Sequence, residues 1–213
     1  MRKIIAGWLA GIWLCLLLVR LPVQAANLAE PIQAQAYVLM EQESGTVLAE
    51  EQADVPLPMG MMAKLMTVLL AAEQLESGAW TLETVLTASD VVNTCEGATV
   101  WLTAGETMTV SDLLKAVIIG NANDAEAVLA EGVSGSVPAF VMEMNARAFD
   151  LGMHQTIFTN PQGYDDEKQC TTARDLAKLC YLMRKSEKTD IGQKKSGNCL
   201  PLFSLLLFYS IFE

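Results

Sequence analysis

Chemistry in this sequence concentrates in Met59-Gly60-Met61-Met62-Ala63-Lys64-Leu65-Met66-Thr67, where one lysine stands in an otherwise apolar run. Residues 61–75 are helix formers with no Gly or Pro, and Ser77-Gly78 supplies a stop, so a buried helix is predicted there. A lysine in such a helix must find partners or lose its proton. Placed three residues after a serine, a desolvated neutral amine can take the hydroxyl proton and create a nucleophile for acyl transfer, because i and i+3 share one helix face. Here the residue three before Lys64 is Met61, and no serine in the chain has a lysine three residues later. A thioether cannot perform that acylation. The plainer alternative is that Lys64 forms a salt bridge inside the fold.

A second polar cluster, Gly120-Asn121-Ala122-Asn123, separates two apolar helical patterns, and such a loop commonly faces a cleft. The first pattern is predicted over about 112–118, with Ser111 as N-cap and Asp112 in its first turn; the second runs from Asp124 to Glu131 and ends at Gly132. Structural roles are also open to the asparagines: Asn123 as the cap of the following helix, Asn121 as the holder of the turn.

The elements that must position these residues are legible on either side. Tyr37-Val38-Leu39-Met40 and Thr46-Val47-Leu48 flank Glu43-Ser44-Gly45, which predicts a hairpin with Gly45 supplying positive φ. Pro56 and Pro58 keep the next stretch extended, and 80–104 contains short β-like pieces. A scaffold helix over 136–151 has Ser136 as N-cap, Pro138 in the first turn and Gly152 beyond its end. Asn160-Pro161-Gln162-Gly163 reads as a turn, and Thr172-Ala173-Arg174-Asp175 resembles a capping box opening a helix to about Lys185. His154 is expected at the surface.

Composition sets the compartment. Arg2 and Lys3 precede the uncharged run 4–19, and Val23-Gln24-Ala25 offers a small-residue cleavage site, which together read as a secretory signal over 1–25. Cleavage is the favoured outcome; an uncleaved signal that associates with the membrane is the alternative, although sixteen apolar residues fall short of the roughly 20 a span needs. Loss of Arg2, Lys3 and Arg20 takes the formal charge from −11 to −14, with 11 basic against 25 acidic residues. A protein this acidic repels nucleic acid and anionic headgroups. Cys95, Cys170, Cys180 and Cys199 remain after the signal and match no CxxC metal or redox frame. They could form two disulfides or stay as free thiols. With His154 as the single histidine, neither a metal nor another cofactor is expected. Beyond a domain over 26–187, the chain turns polar and then carries an apolar run from Leu200 to Phe212, an atypical tail over 188–213.

Lys64-Leu65-Met66-Thr67, the stretch Ala104-Gly105-Glu106-Thr107-Met108-Thr109-Val110-Ser111-Asp112-Leu113-Leu114 and Asn121-Ala122-Asn123-Asp124-Ala125 occur in an informative order. So do Met144-Asn145, Leu151-Gly152-Met153, Thr156, Phe158, Asn160-Pro161 and Gly163. From about Ala36 to Arg184 this order resembles the low-molecular-mass penicillin-binding proteins that act as D-alanyl-D-alanine carboxypeptidases.

The resemblance implies an α/β (α+β) fold of the β-lactamase/transpeptidase kind, an antiparallel sheet with a helical subdomain, here incomplete at the C-terminus. It implies Lys64 as general base and Asn123 as the carboxamide that contacts the substrate amide. Met61 replaces the nucleophilic serine, and Asn121 replaces the second-motif serine that relays protons. For the third motif, Lys-Thr-Gly, the one candidate is Lys195-Ser196-Gly197, which arrives earlier than the strands that precede the motif in the family. The implied partner is a peptidoglycan stem peptide ending in D-Ala-D-Ala, met outside the cytoplasm at the cell wall or membrane; β-lactam acylation is not expected. The implied function is a serine-type D-Ala-D-Ala carboxypeptidase homologue with impaired catalysis. The alternatives are a non-catalytic pseudoenzyme that binds peptidoglycan or a partner, and a truncated or frameshifted gene product. An unpaired sheet edge and the apolar tail predict association or aggregation.

Overall fold

A computed structural model of the chain describes residues 33–185. The signal over 1–25, Cys199, the tail over 188–213 and the third-motif candidate Lys195, Ser196 and Gly197 lie outside the described residues.

The hairpin forms as the alternation requires. Strands β1 (Tyr37–Met40) and β2 (Val47–Glu51) pair antiparallel, with an irregularity between Leu39 and Met40 and with Gly45 in the turn at φ 71°. β3 (Leu57–Pro58) pairs antiparallel with β6 (Cys170–Thr171), and β4 (Val85–Thr87) with β5 (Thr107–Thr109). All described pairing is antiparallel, in three separate two-stranded pieces.

Among the described residues, five α-helices make the core. A short 3-10 turn (Gly60–Ala63) leads into α1 (Lys64–Glu76), followed by α2 (Val110–Gly120), α3 (Asn123–Ser134), α4 (Val137–Asp150) and α5 (Ala173–Lys185). α1 buries Met66, Val68, Leu69, Leu70, Ala71 and Ala72, as expected of a helix with no polar stripe. α3 is buried from Asn123 to Ala130 and packs against α1, α2, α4 and β4. Leu113, Leu114, Leu129, Phe140 and Met144 fill the space between the helices.

Several boundaries differ from expectation for identifiable reasons. α2 starts at Val110 because β5 runs straight into it. Thr109, not Ser111, is the N-cap: its Oγ1 accepts from the Asp112 amide at 3.1 Å and donates to Asp112 Oδ2 at 3.0 Å, while the Ser111 amide donates to the Leu82 carbonyl. α3 continues through Gly132 to Ser134 and ends at Gly135, φ 78°. Gly132 serves packing instead of termination, since a Cβ there would lie 2.7 Å from Leu86 Cδ1. The capping box at α5 is half realised. Thr172 Oγ1 accepts from the Asp175 amide, but the Asp175 carboxylate takes the Gln155 amide and the Thr156 hydroxyl. The scaffold helix α4 has the predicted Ser136 cap, with Oγ accepting from the Ala139 amide. His154 is exposed and rests against the Phe149 ring at 5.1 Å between centroids. Cys95, Cys170 and Cys180 are free thiols.

Candidate functional site

The site is built where the start of α1 meets the start of α3. Lys64 opens α1 and is 6% exposed. Its Nζ donates to Asn123 Oδ1 at 2.6 Å, to Glu126 Oε2 at 2.6 Å and to the Gln162 carbonyl at 2.9 Å. The sequence-predicted pair Lys64 and Asn123 is thus in direct contact.

Asn123 is the first residue of α3, after Ala122 at the N-cap position, and its side chain does not cap the helix. While Oδ1 accepts from Lys64, Nδ2 donates to the Glu96 carbonyl at 2.6 Å, and the backbone amide donates to the Ala98 carbonyl at 2.8 Å. The loop after the 3-10 turn Asp90–Thr94 therefore forms a wall of the site. Tyr164 closes the same wall: its hydroxyl donates to the Glu96 carbonyl and accepts from the Glu96 amide. Asp124, buried beside Asn123, accepts from the amides of Val100 and Leu102. These bonds flank Trp101, which sits at φ 58° and is 85% exposed. For a bulky residue that backbone region is costly, so the Asp124 clamp imposes it.

The turn predicted at 160–163 supplies the carbonyl that reaches Lys64. Asn160 Oδ1 accepts from the amides of Gly163 and Tyr164, and Gly163 lies at φ 82°. A Cβ on Gly163 would lie 2.2 Å from the Gly60 carbonyl oxygen and 2.8 Å from Met61 Cα. Only glycine lets this turn press on the 3-10 segment that carries Met61.

Met61 is 60% exposed in that segment, at the position where a nucleophile would stand relative to Lys64. Asn121 ends α2 in the left-handed region at φ 52°, with its backbone amide donating to the Ala116 carbonyl. Asparagine tolerates this conformation better than most residues. Its turn-holding role is visible, and neither it nor Met61 has a side-chain hydrogen bond among the described residues.

Sequence reasoning missed Glu126 and Thr67. Glu126 is completely buried; its Oε2 takes Lys64 and its Oε1 takes the Thr67 hydroxyl at 2.8 Å. Burial pushes this carboxyl up to about 7, against the opposing pull of Lys64 and Thr67. The available signal was an acid inside the apolar run Ala125–Ala130, one turn after Asn123. Cys95, near the same wall, has its thiol pushed up by burial. Among the described residues no group of three or more His, Cys, Asp or Glu converges in a way that could hold a metal.

Residues 23–199 match the peptidase S11 family, described as D-alanyl-D-alanine carboxypeptidase. The chain is 35% identical over 155 residues to D-alanyl-D-alanine carboxypeptidase DacF of Bacillus subtilis, covering 73% of this chain and 40% of that protein. It is 37% identical over 157 residues to DacC of Escherichia coli, covering 71% and 39%. Penicillin binding protein 5 of Haemophilus influenzae is similar in structure, with a TM-score of 0.70 and 32% identity over 75% of this chain and 47% of that one. DacD of Francisella tularensis gives a TM-score of 0.71 at 29% identity over 74% and 38%. The chain therefore spans about 40% of the length of the curated relatives it matches.

Proposed function

This chain belongs to the D-alanyl-D-alanine carboxypeptidase family, with the α/β fold of penicillin-binding proteins, and from that premise we propose that it engages peptidoglycan stem peptides ending in D-Ala-D-Ala with hydrolysis crippled. The observation that carries this reading is Met61: a thioether, 60% exposed, stands three residues before a retained lysine. In serine-type acyl transfer the base takes a hydroxyl proton, the oxygen attacks the substrate carbonyl and the amine leaves. Methionine has no proton to give and forms no acyl ester. Asn121 can donate and accept hydrogen bonds but cannot pass a proton as a hydroxyl does.

Capacity to bind is better supported than capacity to cleave. Asn123 Nδ2 carries two protons, of which one goes to the Glu96 carbonyl; a substrate amide oxygen would take the other in competition with the Tyr164 hydroxyl. The Glu96 carbonyl on Nδ2 and Lys64 on Oδ1 fix that carboxamide from two sides, and the Ala98 carbonyl holds its backbone amide. A domain over 26–187 and a location outside the cytoplasm, with the signal over 1–25 removed, complete the reading.

Covalent penicillin labelling tests it, because a stable adduct needs a nucleophile at the site. The expected result is no adduct on the mature chain. A labelled serine found by mass spectrometry would show that the nucleophile lies elsewhere and would overturn the assignment of Met61.

A further inference from the structure

Resting on that reading, we propose that Glu126 is a positioning residue that holds Lys64 as a fully donated ammonium, which withdraws the lysine from proton-accepting chemistry independently of the missing hydroxyl at position 61. The geometry is the argument. Lys64 Nζ faces three acceptors, Asn123 Oδ1, Glu126 Oε2 and the Gln162 carbonyl, at 2.6, 2.6 and 2.9 Å. An ammonium has three protons and no lone pair, so it satisfies all three. A neutral amine has two protons and would turn its lone pair toward an oxygen.

Above about pH 7, where Glu126 is ionised, it favours the charged form of Lys64. Its carboxylate is 0% exposed and receives only the Thr67 hydroxyl on its other oxygen. An ionised carboxylate buried with one neutral donor is strongly unfavourable, whereas the adjacent ammonium compensates it. Each ion thereby fixes the charge of the other. A general base must accept the nucleophile's proton on a lone pair, and the saturated Nζ has none to offer. Restoring a serine at position 61 alone would then place a hydroxyl beside an ammonium, with no acceptor for its proton on that nitrogen.

Substitution of Glu126 by glutamine separates charge from shape. The amide can present its oxygen to Lys64 and its NH2 to Thr67 Oγ1, keeping both contacts while removing the negative charge. Thermal unfolding reports whether the variant folds, and Glu126→Ala serves in its place if it does not. In the mature chain labelled with 15N-lysine and held at one pH, the Lys64 ammonium protons should exchange with water at least about tenfold more slowly in the unchanged protein than in Glu126→Gln. Equal exchange in both proteins would overturn the proposal.

The second arm uses a fluorescent penicillin. Met61→Ser should label at least about tenfold more slowly than Met61→Ser combined with Glu126→Gln, a tenfold step being about 1.4 kcal/mol in the barrier. Equal or faster labelling of Met61→Ser alone would mean that Glu126 relays the proton or does nothing, and would also overturn it. If the ammonium protection appears but neither serine variant labels, the hold on Lys64 stands; the D-Ala-D-Ala reading fails only if the stem-peptide analogue also does not bind.

Discussion

Lys64 and Met61 stand three residues apart, yet the first is 6% exposed with three acceptors on its Nζ and the second is 60% exposed in a 3-10 turn. On the proposed reading, the contrast accounts for a site that lacks its nucleophile and keeps its base. Lys64 is bound into the fold through two helices and the 160–163 turn, so its loss would break structure. Position 61 carries no such duty.

The largest expected effect follows from breaking the buried side of this contrast. Lys64→Ala leaves Glu126 as an uncompensated buried carboxyl and should cost about 3–5 kcal/mol, read as the unfolding free energy in denaturant. A loss below about 1 kcal/mol would mean that the pair contributes little to holding α1 against α3.

The pH dependence of stability is the intermediate test. Burial raises the Glu126 carboxyl from 4.5 to about 7, so the folded chain holds a proton where the unfolded chain has released it. The stability contributed by this group is full below 4.5 and is lost as pH rises through about 7. The unfolding midpoint should accordingly fall across that window, and Glu126→Gln should flatten the fall. An unchanged slope in the variant would remove Glu126 as its source.

The smallest expected effect is on the exposed side. Met61→Ser should change stability by no more than about 0.5 kcal/mol, as for a surface substitution away from special features. A larger loss would show that the thioether supports the turn.

Legibility in the sequence follows the same division. The hairpin, α1 and the scaffold helix α4 were readable because each rests on local periodicity or capping. Long-range pairing was less so. Glu126 sits 62 residues from Lys64, and no local rule says which acid enters a core to meet a buried lysine. Gly132 looked like a helix end because its packing against Leu86 is invisible in the sequence, and Asp175 looked like half of a capping box because Gln155 and Thr156 compete for it from outside the helix. Ser111 lost the cap to Thr109 because β5 delivers the chain already extended to that residue. The alternative of Asn123 as a cap is not realised, since its side chain is taken by Lys64 and the Glu96 carbonyl.

The central claim is a site that keeps its binding groups and lacks its nucleophile. Its most direct test measures binding and turnover on one sample, with a stem-peptide analogue ending in D-Ala-D-Ala given to the mature chain and to Asn123→Ala. The account predicts calorimetric binding that weakens in Asn123→Ala, with D-alanine release far below that of an intact relative. Release of D-alanine at a rate typical of an intact relative would contradict it.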